Sequence, residues 1–378
     1  MTLRDFILEH ADDDVAGLLL SRGKWPGIDI DKAATIIECR RKIRTKLPEW
    51  YAEPDIIYPD RICAEQSSSS ATAGYKALVA KDICSEKPSF RMADLTGGLG
   101  ADSLAFSRVA SAVMYNEMNP DRAEAAVHNF GVLGSHNIEV SCFCVGPESA
   151  RSAPFWDSLR AFRPDLIYMD PARRSSTGSK VFLLEDCSPD ILTLTKELFA
   201  VAPSLLVKLS PMADISMLVR RLLSAGAATR AVHVVSAAGE CKELLLHLVP
   251  AGASEDGSYR LIVNENGHVK EFDSASEENS VPQFFNDEEG LRSMSMLFEP
   301  GKALAKAGLF NAVCSSLGAG LVKAARSTHL YFSPDATEGD SDMQFFGKVF
   351  DIVDIVPLNK QSIRAFGAKY PKAEVSAR

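Results

Sequence analysis

Seven short apolar runs recur through the middle of the chain, at 90–95, 112–116, 137–144, 165–169, 204–209, 231–236 and 243–249. Helical patterns at 101–109, 120–131, 186–200 and 213–224 fall between most of them. Strands that are apolar on both faces need cover on both sides, which predicts a parallel sheet layered by helices. Only Ala237–Ala238–Gly239–Glu240–Cys241 separates the last two runs. That is too short for a crossover, so those two strands are expected to pair antiparallel. The pattern predicts an α/β fold, a doubly wound sheet of seven strands with the last one antiparallel.

The flanks differ from this core. The first 50 residues read as helical, with Phe6, Ile7 and Leu8, Leu18 to Leu20, and Ala33, Ile36, Ile37 and Ile43 at helical spacings. Prolines 48, 54 and 59 follow, then four serines (67–70) that offer an N-cap for a helix running to about Asp82. Beyond Pro250 come a Gly/Ser-containing linker, a hairpin around Asn266–Gly267, an acidic loop at 273–279 and a mixture of helices and strands. The expected organisation is an N-terminal helical region (1–60), a core (61–250) and a C-terminal α+β region (251–378).

Composition narrows the setting. The chain is 46% hydrophobic and 24% charged, as expected of a soluble globular protein. No apolar run reaches the roughly 18 residues of a membrane helix. The first residues lack a signal-peptide pattern, so a cytoplasmic location is expected. Eight cysteines without a CxxC pair indicate no metal site and no disulfide framework. A net charge of −9 argues against a uniformly basic nucleic-acid coat. Residues 22–46 nevertheless carry eight Lys/Arg against three acids. That run reads either as a solvated helix face or as a phosphate-facing surface.

The first strand leads into Asp94–Leu95–Thr96–Gly97–Gly98–Leu99–Gly100. Glycines let the backbone turn sharply and approach a ligand closely. The turn lacks the lysine of a P-loop and departs from GxGxxG, which disfavours phosphate and dinucleotide ligands. Its spacing, Asp-x-x-Gly-x-x-Gly, resembles the first motif of class I S-adenosylmethionine methyltransferases. The resemblance implies that the backbone of Thr96, Gly97, Gly98 and Gly100 cradles the methionine end of the cofactor. It also implies that Asp94 meets the cofactor's ammonium directly or through water. Glu117 ends the second strand, twenty residues beyond Gly97. An acid there can accept hydrogen bonds from both ribose hydroxyls; its alternative is a cap for the helix starting near Pro120.

The fourth strand ends in Asp170–Pro171–Ala172–Arg173–Arg174, facing the ligand crevice of a doubly wound sheet. This resembles the Asp/Asn-Pro-Pro-aromatic motif of amino-directed nucleic-acid methyltransferases, which implies that Asp170 and Pro171 orient the acceptor amine. Ala172 and Arg173 stand where that motif has proline and an aromatic. Arg173 and Arg174 are candidate substrate contacts, or ion-pair partners of Glu185 or Asp186. Lys208, ending the next strand, is a candidate contact to substrate phosphate or a partner for Asp170. No cysteine follows that strand (Lys208–Leu209–Ser210–Pro211), which disfavours carbon-directed methylation of a pyrimidine.

Together with Glu65–Gln66–Ser67–Ser68–Ser69, Phe182 to Cys187 and Glu240 to Leu244, these motifs resemble the bacterial class I methyltransferases with a C-terminal THUMP-like domain, common in Bacteroidetes. The resemblance covers the chain from about residue 60. It implies a Rossmann-like core followed by ferredoxin-like and THUMP-like modules, S-adenosylmethionine as cofactor, and an RNA partner such as rRNA or tRNA. Ser67 and Ser68 are then expected to close over the cofactor, with simple helix capping as the alternative. The third strand lacks the acid that often meets the adenine amine, Glu148 being the nearest, and the THUMP-like module is expected to continue past Arg378. Two rivals are a non-catalytic RNA-binding protein that kept this fold and, ranked lower, an NAD-type oxidoreductase.

Overall fold

The computed structural model describes residues 1–149, 151–173, 184–253, 257–285, 288–317, 321–326, 328–334 and 343–372. The chain forms two compact units, Met1–Ser274 and Ala275–Arg378.

The first unit opens with helices α1 (Leu3–Glu9), α2 (Val15–Leu20), α3 (Ile30–Ile43), α4 (Pro48–Ala52), α5 (Arg61–Gln66) and α6 (Ser70–Ile83). Ser69 caps α6, its hydroxyl accepting from the Thr72 N–H at 3.2 Å in a reciprocal capping box. The core follows in order: β1 (Arg91–Asp94), α7 (Ala101–Ser107), β2 (Ala112–Asn116), α8 (Pro120–Val132), β3 (Ile138–Ser141), α9 (Ala153–Phe162) and β4 (Leu166–Met169). A two-residue ribbon, β5 (Ala172–Arg173) with β6 (Cys187–Ser188), leads to α10 (Ile191–Phe199), β7 (Ser204–Leu209), α11 (Ile215–Ser224), β8 (Ala227–Ala237) and β9 (Glu240–Pro250). Strands β10 (Arg260–Glu265) and β11 (His268–Asp273) complete the unit.

These strands make one nine-stranded sheet in the order β11-β10-β8-β9-β7-β4-β1-β2-β3. The seven expected strands are all present. β9 lies between β7 and β8 and runs antiparallel to both, while β1, β2, β3, β4 and β7 are parallel. β1, β4, β7 and β9 are lined by fully buried side chains such as Met92, Ile167, Leu205 and Leu246.

The Asn266–Gly267 hairpin departs from expectation. The sequence pattern puts it in the C-terminal region, but β10 pairs parallel with β8 from Arg260 to Glu265, and the first unit runs to Ser274. The physical reason is the edge of β8, whose backbone groups are satisfied by this added strand. Buried Leu261, Ile262 and Val263 supply the apolar surface for it.

The second unit is α+β. Its five-stranded sheet has the order β12 (Gln283–Phe284), β14 (Val322–Lys323), β15 (Tyr331–Ser333), β13 (Met296–Pro300), β16 (Gly347–Asp351). Short helices α12 (Ser276–Asn279), α13 (Glu288–Arg292), α14 (Lys302–Ala307), α15 (Ala312–Ser316) and α16 (Met343–Phe346) connect it, followed by α17 (Lys360–Lys369).

One charged centre lies inside the first unit. Lys76 of α6 is fully buried and its ammonium meets Asp102 of α7 at 3.0 Å, Glu243 of β9 at 3.1 Å and the Ser68 hydroxyl at 2.6 Å. Replacing Lys76 by Met leaves two buried carboxylates, Asp102 and Glu243, without their shared ammonium. Urea unfolding followed by circular dichroism is expected to show a loss of about 3–5 kcal/mol, the range for breaking a buried ion pair from one side.

Candidate active site

The glycine turn between β1 and α7 is shaped by side chains behind it. A Cβ at Gly97 would lie 2.1 Å from the Tyr115 ring, so the backbone there rests directly on an aromatic face. Gly98 and Gly100 have φ of +55° and +97°, a region that favours glycine. The Tyr115 hydroxyl donates to the Gly98 carbonyl at 2.6 Å, and the Gly97 N–H donates to the Asn116 carbonyl at 2.8 Å. The turn is thus held in its curved form from below, with its other face lining a cleft of about 990 Å3.

Most of the sequence-derived site residues meet on that cleft. Ser67, Ser68, Thr96, Gly97, Gly98, Gly100, Glu117, Asp170, Pro171 and Lys208 all line it. Asp94 does not. It is 1% exposed, and its carboxylate accepts from the Thr96 N–H (3.0 Å) and the Ser103 hydroxyl (2.6 Å), locking the turn onto α7. A direct contact with a ligand ammonium is therefore not what this carboxylate is built for. Arg174 and the side chain of Arg173 lie outside the described residues; of the two acids considered as alternative ion-pair partners for them, Glu185 pairs with Arg221.

Glu117 occupies the far end of the turn. Its two oxygens accept from the backbone N–H groups of Gly98 (3.0 Å) and Asn119 (2.9 Å). It is 7% exposed and makes no ion pair among the described residues. The capping alternative does not apply: Asn119 caps α8 by accepting from Asp121 and Arg122. Asn116 beside it holds the loop after β3, exchanging hydrogen bonds with the Phe143 carbonyl and N–H, both at 3.0 Å. Phe143, Val145 and Met118 give this end an apolar wall. Glu148 is drawn away, paired with Arg160 at 2.5 Å.

At the other end stands Asp170. Its N–H donates to the Thr96 hydroxyl at 2.6 Å, which ties the end of β4 to the glycine turn. The Lys208 ammonium contacts its Oδ2 at 2.5 Å, so of the two roles considered for Lys208 the structure displays the carboxylate partner. Burial works against the Lys208 charge, but Asp170, Glu243 and Asp102 outweigh it and hold the ammonium above its usual range. Oδ1 of Asp170 has no partner among the described residues.

Ser67 and Ser68 reach the cleft with hydroxyls already engaged. Ser67 donates to the Ala64 carbonyl at 3.0 Å, and Ser68 donates to Asp102 at 3.0 Å while accepting from Lys76. Asp102, Lys76, Tyr115 and Asn116 were missed in the sequence. A buried acid two residues past the last glycine and a lysine on an otherwise apolar helix face were the signals available.

The strand order, the antiparallel strand between β7 and β8, and the glycine turn after β1 define the Rossmann-like fold of the class I methyltransferases. Over 98% of its length the chain is similar to a solved structure from Porphyromonas gingivalis W83 described as a "putative methyltransferase". The two are 28% identical with a TM-score of 0.76, and the match covers 86% of that chain. Partial matches include a SAM-dependent methyltransferase from Aquifex aeolicus (15% identity, 51% of this chain, 99% of that one, TM-score 0.34). TrmN from Thermus thermophilus matches at 19% identity over 47% of this chain and 48% of its own, with a TM-score of 0.34. No family model and no curated protein matches the chain.

Burial pushes the Asp94 carboxyl up to about 7 from 3.8, with the charges of Asp102 and Asp170 adding to it, against the hydrogen bonds from Ser103 and Thr96. The folded state therefore keeps a proton that the unfolded chain releases, and stability from this group declines as pH rises from about 4 to 7. In Asp94→Asn that component is absent. Denaturation across this range is expected to show a flatter stability curve for the variant than for the wild type.

Proposed function

We propose that this protein is an S-adenosylmethionine-dependent methyltransferase whose acceptor is a base in RNA, of the rRNA or tRNA kind. The observation that carries the cofactor reading is Glu117. Its buried carboxylate, fixed by two backbone N–H groups and without an ion pair among the described residues, is suited to accepting both hydroxyls of a ribose. The donor set fits this cofactor in other respects as well. The turn offers glycine backbone but no lysine for a phosphate, and the wall of Met118, Phe143 and Val145 suits an adenine face.

S-Adenosylmethionine supplies an activated methyl group on a sulfonium, so the protein's task is alignment and exclusion of competing nucleophiles. Gly97, Gly98 and Gly100 bring backbone close to the methionine end, while Asp94 acts from behind by holding the turn. Asp170 Oδ1 accepts a hydrogen bond from the acceptor amine and aims its lone pair into the cleft. Lys208 holds the opposite carboxylate oxygen, fixing the plane in which Oδ1 works. Pro171 limits the backbone freedom of that segment. The RNA assignment is supported by the Asp170–Pro171 motif at the acceptor end and by the α+β unit, read as a THUMP-like module.

Calorimetry with S-adenosylmethionine and S-adenosylhomocysteine is expected to give saturable binding, weakened about tenfold or more by Glu117→Ala, since hydrogen bonds to a charged acceptor contribute about 1.5–3 kcal/mol each. Absence of saturable binding overturns the cofactor reading. RNA from cells lacking the protein should lose one modified nucleoside, restored by the wild type and not by Asp170→Ala. Binding of RNA without binding of either cofactor form would instead favour the non-catalytic alternative.

A further inference from the structure

The basic run at residues 22–46 is largely absorbed by structure. Arg40 is 6% exposed and donates to the carbonyls of Tyr51 (2.8 Å) and Glu53 (3.1 Å). Arg41 donates to the carbonyls of Ala11 and Asp13, and Arg44 reaches Asp12 at 3.4 Å. Two members behave differently. Lys46 sends its ammonium to the last carbonyls of α5, Glu65 at 2.8 Å and Ala64 at 3.4 Å, immediately before the cleft-lining residues Gln66 and Ser67. Lys42, one helical turn earlier, pairs with Glu65 at 2.9 Å and lines a separate hollow of about 420 Å3 with Arg41 and Arg61.

Lys242 at the start of β9 also lines the cleft and pairs with Glu240 at 2.5 Å. Burial lowers the Lys46 ammonium to about 8, and the charges of Lys208, Lys242 and Lys42 add to this; Asp102 is the carboxylate that opposes them. Glu65 thus gathers Lys42 and Lys46 at the end of α5, directly before the cleft-lining Gln66 and Ser67, and Lys242 lines the same cleft from β9. The Lys42–Glu65 and Lys242–Glu240 pairs are roughly half exposed, and pairs of that kind contribute at most about 1 kcal/mol. A phosphate can replace either carboxylate at little cost.

The geometry points to a phosphodiester path at the cleft mouth: Lys242 and Lys46 grip the backbone beside the target nucleotide, and Lys42 carries the strand on toward the neighbouring hollow. This rests on the reading of RNA as acceptor and adds to it where the strand enters. Lys208, committed to Asp170, faces the base rather than the backbone. The recognition is of charge spacing along a single strand, so it is independent of sequence.

Fluorescence anisotropy with a labelled mixed-sequence 12-nucleotide RNA, measured across a KCl series with S-adenosylhomocysteine present, tests the path. Each phosphate contact on a single strand contributes about 0.7 to the slope of log K against log salt. The Lys46→Gln/Lys242→Gln double variant is therefore expected to bind with a slope shallower by about 1.4. Glutamine at 46 can still donate to the α5 carbonyls, and unchanged affinity for S-adenosylhomocysteine verifies that the cleft is intact. The control Lys24→Gln/Lys32→Gln removes two exposed lysines of the same run away from the cleft and should leave the slope as in the wild type. A wild-type slope in the Lys46/Lys242 variant overturns the path while the RNA reading stands. Failure of the wild type to bind RNA while it binds S-adenosylhomocysteine overturns both, and leaves the cofactor reading intact.

Discussion

The arrangement of the cleft depends on a buried lysine. Lys76 ties together three segments that are far apart in sequence, α6, the start of α7 and the antiparallel strand β9, through Ser68, Asp102 and Glu243. A buried ammonium is tolerable only with carboxylates and hydrogen bonds around it, and here it has them. Tyr168 of β4 adds its hydroxyl to Asp102 at 2.8 Å, drawing a fourth segment into the same knot. The helices before the core are thus fastened to the sheet by electrostatics as well as by apolar contact. This is why Ser67 and Ser68 come to stand at the edge of the cleft.

Charges alternate from this centre to the acceptor end. Glu243 stands between Lys76 at 3.1 Å and Lys208 at 4.0 Å, and Lys208 contacts Asp170. Burial pushes the Glu243 carboxyl up, and the two lysines work against that shift. Each buried charge in the row is flanked by opposite ones, so its desolvation is offset locally. Removing any one of them leaves its neighbours with one counter-charge fewer.

The sheet was legible because its signal is local. Seven apolar runs, a short Ala237–Cys241 turn and a glycine loop are visible without knowing the partners of any residue. The hairpin at Asn266–Gly267 was recognised as a hairpin, but its attachment to β8 depends on an edge that only the assembled sheet presents. Glu117 and Asp170 reach the cleft because strand ends in a doubly wound sheet face the crevice. Asp94 is buried behind the turn, which its position in the motif did not reveal: sequence spacing gives proximity to the loop, not the face. Lys76 and Asp102 were hidden for a related reason, since a charge inside a helix reads as solvated until its partners are known.

The hydrogen bond from the Asp170 N–H to the Thr96 hydroxyl joins two motifs that are usually considered separately. One is the glycine turn after β1 and the other the end of β4, and a single 2.6 Å contact makes them one rigid piece. Sequence drift in the glycine turn therefore cannot be confined to the turn. A change at position 96 that suits the turn but lacks a hydroxyl acceptor shifts the strand end that presents the carboxylate. The two motifs are bound to vary as a pair, and a lineage that swaps one for another form must find a matching solution for the other.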